Sequence, residues 1–283
     1  MSVVRHRPLC TVASAAATAL AASLLAACQT APPAPPVPPT APDVVGEFRK
    51  GSGQLNGYLS ARELPDSKTL LGPPPAAGSP AAAADLAAHE AAKALRAGAR
   101  GAQAARDAPY HWPHAADTFA CELGLPVSEA ATPHLYTLLR RTLVDAGLST
   151  YGVKDQYQRQ RPYVALKENT CFAPEEARLA KDGSYPSGHS AFGWAWALIL
   201  AELAPDRQAA LLRRGLDFGT SRSVCGYHWA SDVEAGRVMG AATVARLHAN
   251  PVFTAQAALA RGEIERARAA GATAPAFCAA QGR

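Results

Sequence analysis

SYPSGHSAFGWAWAL, residues 184–198, joins a short polar mouth to an apolar run that continues to Leu203. A helix from Ser187 to Leu203 would be apolar on every face, and such a helix has to be buried. The run from Ala191 to Ala204 carries Glu202 and is about two-thirds of the roughly 20 residues that a membrane span needs. It is therefore expected to be a core helix. Ser187 is a good N-cap, and Gly188 lets a ligand approach the backbone N–H groups. The helix dipole favours negative charge at that end.

Outward from this helix the punctuation is that of further helices. An alanine-rich pattern begins at Ser79-Pro80, and leucines at 135, 138, 139 and 143 follow a Thr132-Pro133 start and precede Gly147. PEEARLA fits a short helix. Asp206–Phe218 and a stretch from Ser231 to Asn250-Pro251 fit two long ones, and a terminal helix follows Pro251. Period-two strand patterns are scarce and alanine is abundant. The expected fold is all-α, a single helical-bundle domain.

The N-terminus reads as an export leader over residues 1–27, with Arg5 and Arg7 before an apolar stretch from Thr11 to Ala27. Leu25-Ala26-Ala27-Cys28 is similar to a bacterial lipobox, which makes Cys28 a lipidation candidate and a membrane tether. The localisation expected is the periplasm or the outer membrane. Residues 28–43 form a proline-rich spacer suited to polyproline II, and 44–283 the helical domain. Removing Arg5 and Arg7 with the leader lowers the formal charge from +5 to +3. Without a dense basic block or an interleaved aromatic stripe, no nucleic-acid partner is implied. Beyond the leader and Cys28 four cysteines remain: Cys121, Cys171, Cys225 and Cys278. An even number in an exported chain implies two disulfides, and three pairings are open. The pairing expected here is Cys121–Cys171 with Cys225–Cys278. Their spacing matches no zinc site.

Three stretches carry chemistry. In KDQYQRQRPY, Lys154 and Arg161 are seven residues apart and would share a helical face, with Pro162 ending the segment. Two long cations there suit an oxyanion. In PSGH, Ser187, Gly188 and His189 offer a cap, open backbone and a titratable ring. In SRSVCGYHWASD, Arg222 supplies a five-donor fork. His228 and Asp232 stand four apart, a spacing at which a carboxylate on the same helix can orient the imidazole and leave Nε2 free as a base. Taken singly, each is also a solvated face, a helix cap or a structural His–Asp pair. His111 and His114 flank Pro113 and read as a loop pair, not a ligand set. His89, His134 and His248 read as structural or exposed, Trp194 and Trp196 as core, and Tyr185 as a pocket neighbour.

The order Lys154-x6-Arg161-Pro162, Pro186-Ser187-Gly188-His189, Ser221-Arg222-x5-His228-x3-Asp232 resembles the three-part signature of the type-2 phosphatidic acid phosphatase superfamily. Longer segments, among them CGYHWASDVEAGRVMGAA and PHLYTLLRRTLVDAGLSTYG, are similar to the class A bacterial non-specific acid phosphatases. The resemblance runs from about Gly57 to Phe253. It implies an exported, all-helical, metal-independent enzyme acting on phosphomonoesters, with no cofactor and with homo-oligomers in prospect. His228 would be the nucleophile, Asp232 its orienting carboxylate and His189 the general acid and base. Lys154, Arg161, Ser187, Gly188 and Arg222 would hold the phosphate.

Two other activities use related sites. Vanadate-dependent haloperoxidases share the anion site, but their chains are longer. Lipid phosphate phosphatases share the motif but usually carry several membrane spans. A non-enzymatic phosphate-binding lipoprotein would need neither His189 nor the His228–Asp232 pair.

Overall fold

A computed structural model describes residues 36–280; the leader and Cys28 lie outside them. Among the described residues there is no strand, only one isolated bridge between Glu47 and Leu55. Among the described residues eight helices of seven residues or more carry the fold: α1 (Pro80–Lys93), α2 (Ala99–Arg106), α3 (Pro133–Leu148), α4 (Tyr151–Tyr157), α5 (Gly188–Leu203), α6 (Gln208–Val224), α7 (Ala230–Leu247) and α8 (Pro251–Ala269).

The apolar helix α5 is the axis of the bundle, packed by α6, α7 and α3, with α8 closing over α3. Trp196 is fully buried at its centre, and its indole N–H donates to the Leu139 carbonyl at 3.1 Å. Close approach of the neighbouring helices depends on missing side chains. A Cβ at Gly236 would stand 2.4 Å from the Ser187 carbonyl oxygen, and one at Gly240 2.3 Å from that of Ala191. Gly236 therefore lets α7 lie against the very first turn of α5, the turn that carries PSGH.

Helix ends follow the sequence in part. Ser187 caps α5, its Oγ accepting the Ser190 N–H at 3.2 Å. Asn250 caps α8 through Val252 and Phe253, with Pro251 at the first position. Thr132 precedes α3, but the free N–H groups of His134 and Leu135 are taken by Glu263 of α8, each at 2.9 Å. The alanine-rich pattern forms two helices instead of one, because the chain turns at 94–98. Arg96 leaves that turn to donate to the Val224 carbonyl at 2.6 Å. The last residues of the proline-rich stretch pack on the body: Pro38 is buried and Thr40 accepts from the Thr137 hydroxyl.

The disulfides are Cys121–Cys278 and Cys171–Cys225, which corrects the pairing expected from sequence. The reason is local. Cys225 follows α6 directly, and its carbonyl accepts the Cys171 N–H at 3.0 Å, in a small core with Tyr163 and Tyr227. Cys278 instead lies buried in the C-terminal turn Phe277–Ala280, beside the short helix of Cys121. No described helix is long and apolar enough to cross a membrane.

Candidate active site

The three chemical stretches meet at the N-terminal end of α5, around a cavity of about 350 Å³. Its wall includes Lys154, Arg161, Gly188, His189, Arg222 and His228. Every cation of that set is buried, Lys154 to 2% exposure and Arg222 to 1%.

Lys154 and Arg161 reach the cavity by a route the helical spacing does not describe. Helix α4 ends at Tyr157, Gln158 takes a left-handed conformation, and Arg161 is extended at φ −72°, ψ 151°. Pro162 excludes helix at its predecessor, so the two residues share no helical face. They converge through one carbonyl: Gly183 O accepts Lys154 Nζ at 2.7 Å and Arg161 Nη2 at 3.2 Å. Lys154 also donates to the Pro186 carbonyl at 2.9 Å, keeping one ammonium proton free. Burial, then the neighbouring Arg161, lowers its pKa to about 8.

Arg161 is the most heavily bonded cation. Its Nε donates to the Leu179 and Asp182 carbonyls, and its Nη2 reaches the Asp182 carboxylate at 3.2 Å. Its Nη1 lies 2.9 Å from His228 Nε2. Arg222 is the opposite case: all three guanidinium nitrogens are buried without a hydrogen-bond partner. The group sits 4.2 Å over the Tyr227 ring. Burial lowers its pKa to about 10, still far above neutrality.

His228 precedes α7 and is not part of it; Trp229 is the N-cap and Asp232 the third helical residue. Asp232 therefore acts as a capping carboxylate, accepting the Trp229 N–H at 2.9 Å. Its Oδ2 is 3.5 Å from His228 Nδ1, and no hydrogen bond joins the two. The expected pairing exists as proximity across the start of a helix. Burial, then Arg161, Arg222 and Lys154, hold the His228 pKa well below its ordinary value.

His189, in the first turn of α5, is fixed by the Ala108 carbonyl 3.1 Å from its Nε2. A carbonyl only accepts, so Nε2 bears the proton and Nδ1 is the basic nitrogen of the ring. Tyr110 and Phe192 frame the ring, with centroids at 4.8 and 5.0 Å. Burial, then Arg222, push its pKa well below the usual range. Ser187 and Asp232 are joined by a backbone hydrogen bond of 2.9 Å, so PSGH and the histidine segment form one unit. A Cβ at Gly188 would find nothing nearer than Thr150 Oγ1 at 3.8 Å, because that space is the cavity.

Other residues fall where their chemistry allows. Tyr185 turns away from the cavity, its hydroxyl donating to the Gly72 carbonyl at 3.1 Å. His111 and His114 stand as a loop pair, the latter 3.1 Å from the Arg106 carbonyl. His89, Glu90 and Glu168 place ligand-type atoms within 4.8 Å of one another, but Lys93 already occupies Glu168 at 2.6 Å. Arg159, Asp85 and Ala108 lie outside the three motifs. Asp85 and His89 lie on the buried stripe of an alanine helix, a pattern that could have marked Asp85. Ala108 acts through its carbonyl and leaves no side-chain signal.

A buried unpartnered guanidinium, a helix N-terminus and two histidines around one small cavity define an all-helical anion site of the PAP2 type. Residues 131–253 match the PAP2 superfamily, and the chain belongs to it. Within it the chain is 42% identical over 210 residues to the non-specific acid phosphatase of Providencia stuartii, covering 74% of this chain and 85% of that one. It is 41% identical to an acid phosphatase of Zymomonas mobilis, covering 72% and 77%. A Salmonella typhimurium non-specific acid phosphatase is 39% identical, covering 73% and 83%. The chain is a member of the non-specific acid phosphatase family.

Proposed function

We propose that this chain is an exported acid phosphatase that hydrolyses phosphomonoesters of broad range through a phosphohistidine on His228. One observation carries the reading: Arg222 is a buried cation with three unpartnered donor nitrogens on the same cavity as His228. An unpaired buried charge costs several kcal/mol, and a phosphoryl group offers three oxygens to relieve it.

In the first step His228 Nε2 bonds to phosphorus as the ester P–O bond breaks. His189 Nδ1 gives its proton to the departing oxygen. The phosphorylated ring, still carrying its Nδ1 proton, is cationic and faces Asp232. In the second step water bonds to phosphorus, Nε2 leaves with its electron pair, and His189 takes the water proton. Arg222, the free proton of Lys154, Arg161 and the first N–H groups of α5 hold the equatorial oxygens as charge spreads over them. The same intermediate can pass its phosphoryl group to an alcohol instead of water.

An acidic optimum follows because His189 must enter protonated. Incoming phosphate supplies the negative charge that restores its proton. The leader and lipobox of the sequence support export and a lipid tether on Cys28.

The test is phosphate release from an aryl phosphate at pH 5–6 with excess chelator, comparing native protein and His228→Ala. Turnover that resists chelator and disappears in the variant, with a radiolabelled phosphoenzyme in acid-quenched native protein, supports the reading. Turnover that persists in His228→Ala overturns the nucleophile, and no turnover by folded native protein overturns the phosphatase.

A further inference from the structure

Asp232 is placed to serve His228, yet its nearest partner is another residue. Its Oδ1 accepts Arg159 Nη1 at 2.6 Å, while His228 Nδ1 stays 3.5 Å from Oδ2. Arg159 is itself clamped. Its Nη2 donates to Asp85 Oδ2 at 2.7 Å and its Nη1 to Ser231 Oγ at 2.8 Å. Asp85, buried in α1, also accepts the Ser231 N–H at 2.9 Å and hydroxyl at 2.6 Å. A continuous Asp85–Arg159–Asp232 chain thus runs from α1 to the nucleophile. Arg159 is not part of the cavity wall.

The charges around the ring show what such a chain can do. Lys154, Arg161 and Arg222 face His228 and all oppose its protonation. Asp182 is engaged by Arg161. Asp232 is the carboxylate beside the imidazole, held by Arg159 on Oδ1 and by the Trp229 N–H on Oδ2, and the Ser184 carbonyl is the other group that favours the charged ring. A carboxylate in full contact would make the ring basic, and in acid a protonated Nε2 cannot attack phosphorus.

We propose that Arg159 is a positioning residue for the nucleophile: anchored by Asp85, it holds Asp232 back from His228, so that the ring stays an unprotonated nucleophile in acid and gains its counter-charge only once Nε2 is phosphorylated. The catalytic part of this rests on the phosphohistidine reading; the electrostatic part does not.

Arg159→Gln removes the restraint, and Asp232 closes on His228. Arg159→Lys keeps the charge but cannot bridge Asp85 and Asp232 with a fork. Asp85→Asn loosens the anchor while leaving Arg159 in place. The primary measurement is an NMR titration of histidine-labelled, anion-free protein, which needs no turnover. We expect His228 in Arg159→Gln to titrate at least one pH unit higher than in native protein, and in Asp85→Asn to move the same way by less. The acid limb of kcat/KM for an aryl phosphate should move up in parallel, losing tenfold or more at pH 5 and recovering towards pH 7. Inhibition by sulfate should stay within about threefold of native, since the cavity cations are untouched. Arg159→Lys should lie between native and Gln, and with Asp85→Asn it carries the test if the Gln variant does not fold. An unmoved or lowered His228 titration in folded variants overturns the proposal. So does a loss of rate that follows Tm with an unchanged pH profile. A shifted titration with no phosphatase activity in native protein would keep the electrostatic role and sink the enzyme reading instead.

Discussion

Arg161 Nη1 lies 2.9 Å from His228 Nε2. Arginine has donors only, so this contact assigns the tautomer: Nε2 accepts, and the ring proton sits on Nδ1 facing Asp232. On the phosphohistidine reading proposed above, a cation that the substrate must draw away holds the resting ring in the tautomer needed for attack. Nitrogen chemical shifts of anion-free protein should show His228 as the Nδ1–H form, with a mixture of tautomers in Arg161→Ala. The same variant should lose about 10²–10³-fold in kcat, the usual loss for one donor to a developing oxyanion. An unchanged tautomer and less than a tenfold loss would remove Arg161 from this role.

Proton linkage gives a second outcome. His189 and His228 are held well below the ordinary histidine pKa in the anion-free protein. Unfolding in acid therefore takes up protons at both, and stability is full above about pH 6.5 and falls as pH drops below it. An anion reverses the sign at His189 by restoring its charge. Sulfate, dianionic throughout this range, should bind more tightly as pH falls from 7 to 5, approaching tenfold per unit when one proton is taken up. Calorimetry in buffers of different ionisation enthalpy should count that proton, and His189→Ala should abolish it. A pH-independent sulfate affinity in native protein would contradict the coupling.

The bundle and most of the site were legible because each signal was local. An apolar run flanked by Ser187 and Gly188 can only be a buried, capped helix, and it is the axis of the fold. Pro133, Pro251 and Asn250 mark helix starts for the same reason. Local signals lose their meaning where the chain leaves regular structure. Lys154 and Arg161 were expected on one face, but Gln158 and Pro162 break the helix, and only the Gly183 carbonyl shows how they meet. His228 and Asp232 straddle an N-cap, which i,i+4 spacing does not distinguish from a helix interior. The disulfide pairing depends on which loops touch. Asp85 lies 147 positions before Asp232 in a helix that otherwise reads as plain alanine, so nothing in its neighbourhood joins it to the site.

Behind His189 lies a buried network that ties stability to chemistry. Asp107 pairs with Arg214 at 2.5 Å and accepts the Ser221 hydroxyl at 2.6 Å. It also precedes Ala108, whose carbonyl fixes His189, while Ser221 precedes Arg222. Asp107→Ala should cost about 3–5 kcal/mol, the usual loss when one partner of a buried ion pair is removed. Replacing both Asp107 and Arg214 with apolar residues of similar volume should recover part of that stability but little of the activity: Ser221 keeps the Asp217 carbonyl as an acceptor, but its bond to Asp107, which ties the Arg222 segment to the Ala108 turn, is lost. Denaturant unfolding with parallel kcat measurements checks both halves. A double variant that regains full kcat would show that the network serves packing alone.

The two disulfides should separate in the same way. Cys171–Cys225 closes a 54-residue separation, and Cys225 stands three residues before His228, with the left-handed Gly226 between. Chain-entropy arguments give about 4 kcal/mol for a loop of that size and slightly more for the 157-residue separation of Cys121–Cys278. On loop length alone, losing Cys121–Cys278 should be the worse injury. The structure reverses that order for activity. Cys121–Cys278 ties down the C-terminal turn, whereas Cys171–Cys225 holds the strip that carries Arg222, Tyr227 and His228. Replacing Cys171 and Cys225 with serine should lower kcat by tenfold or more at temperatures well below Tm, with weakened sulfate binding. The Cys121 and Cys278 double variant should lower Tm while leaving kcat within about twofold of native. Equal kcat in the two variants below their transitions would mean that the Cys225–His228 segment is held by packing of Tyr163 and Tyr227 without help from the bond.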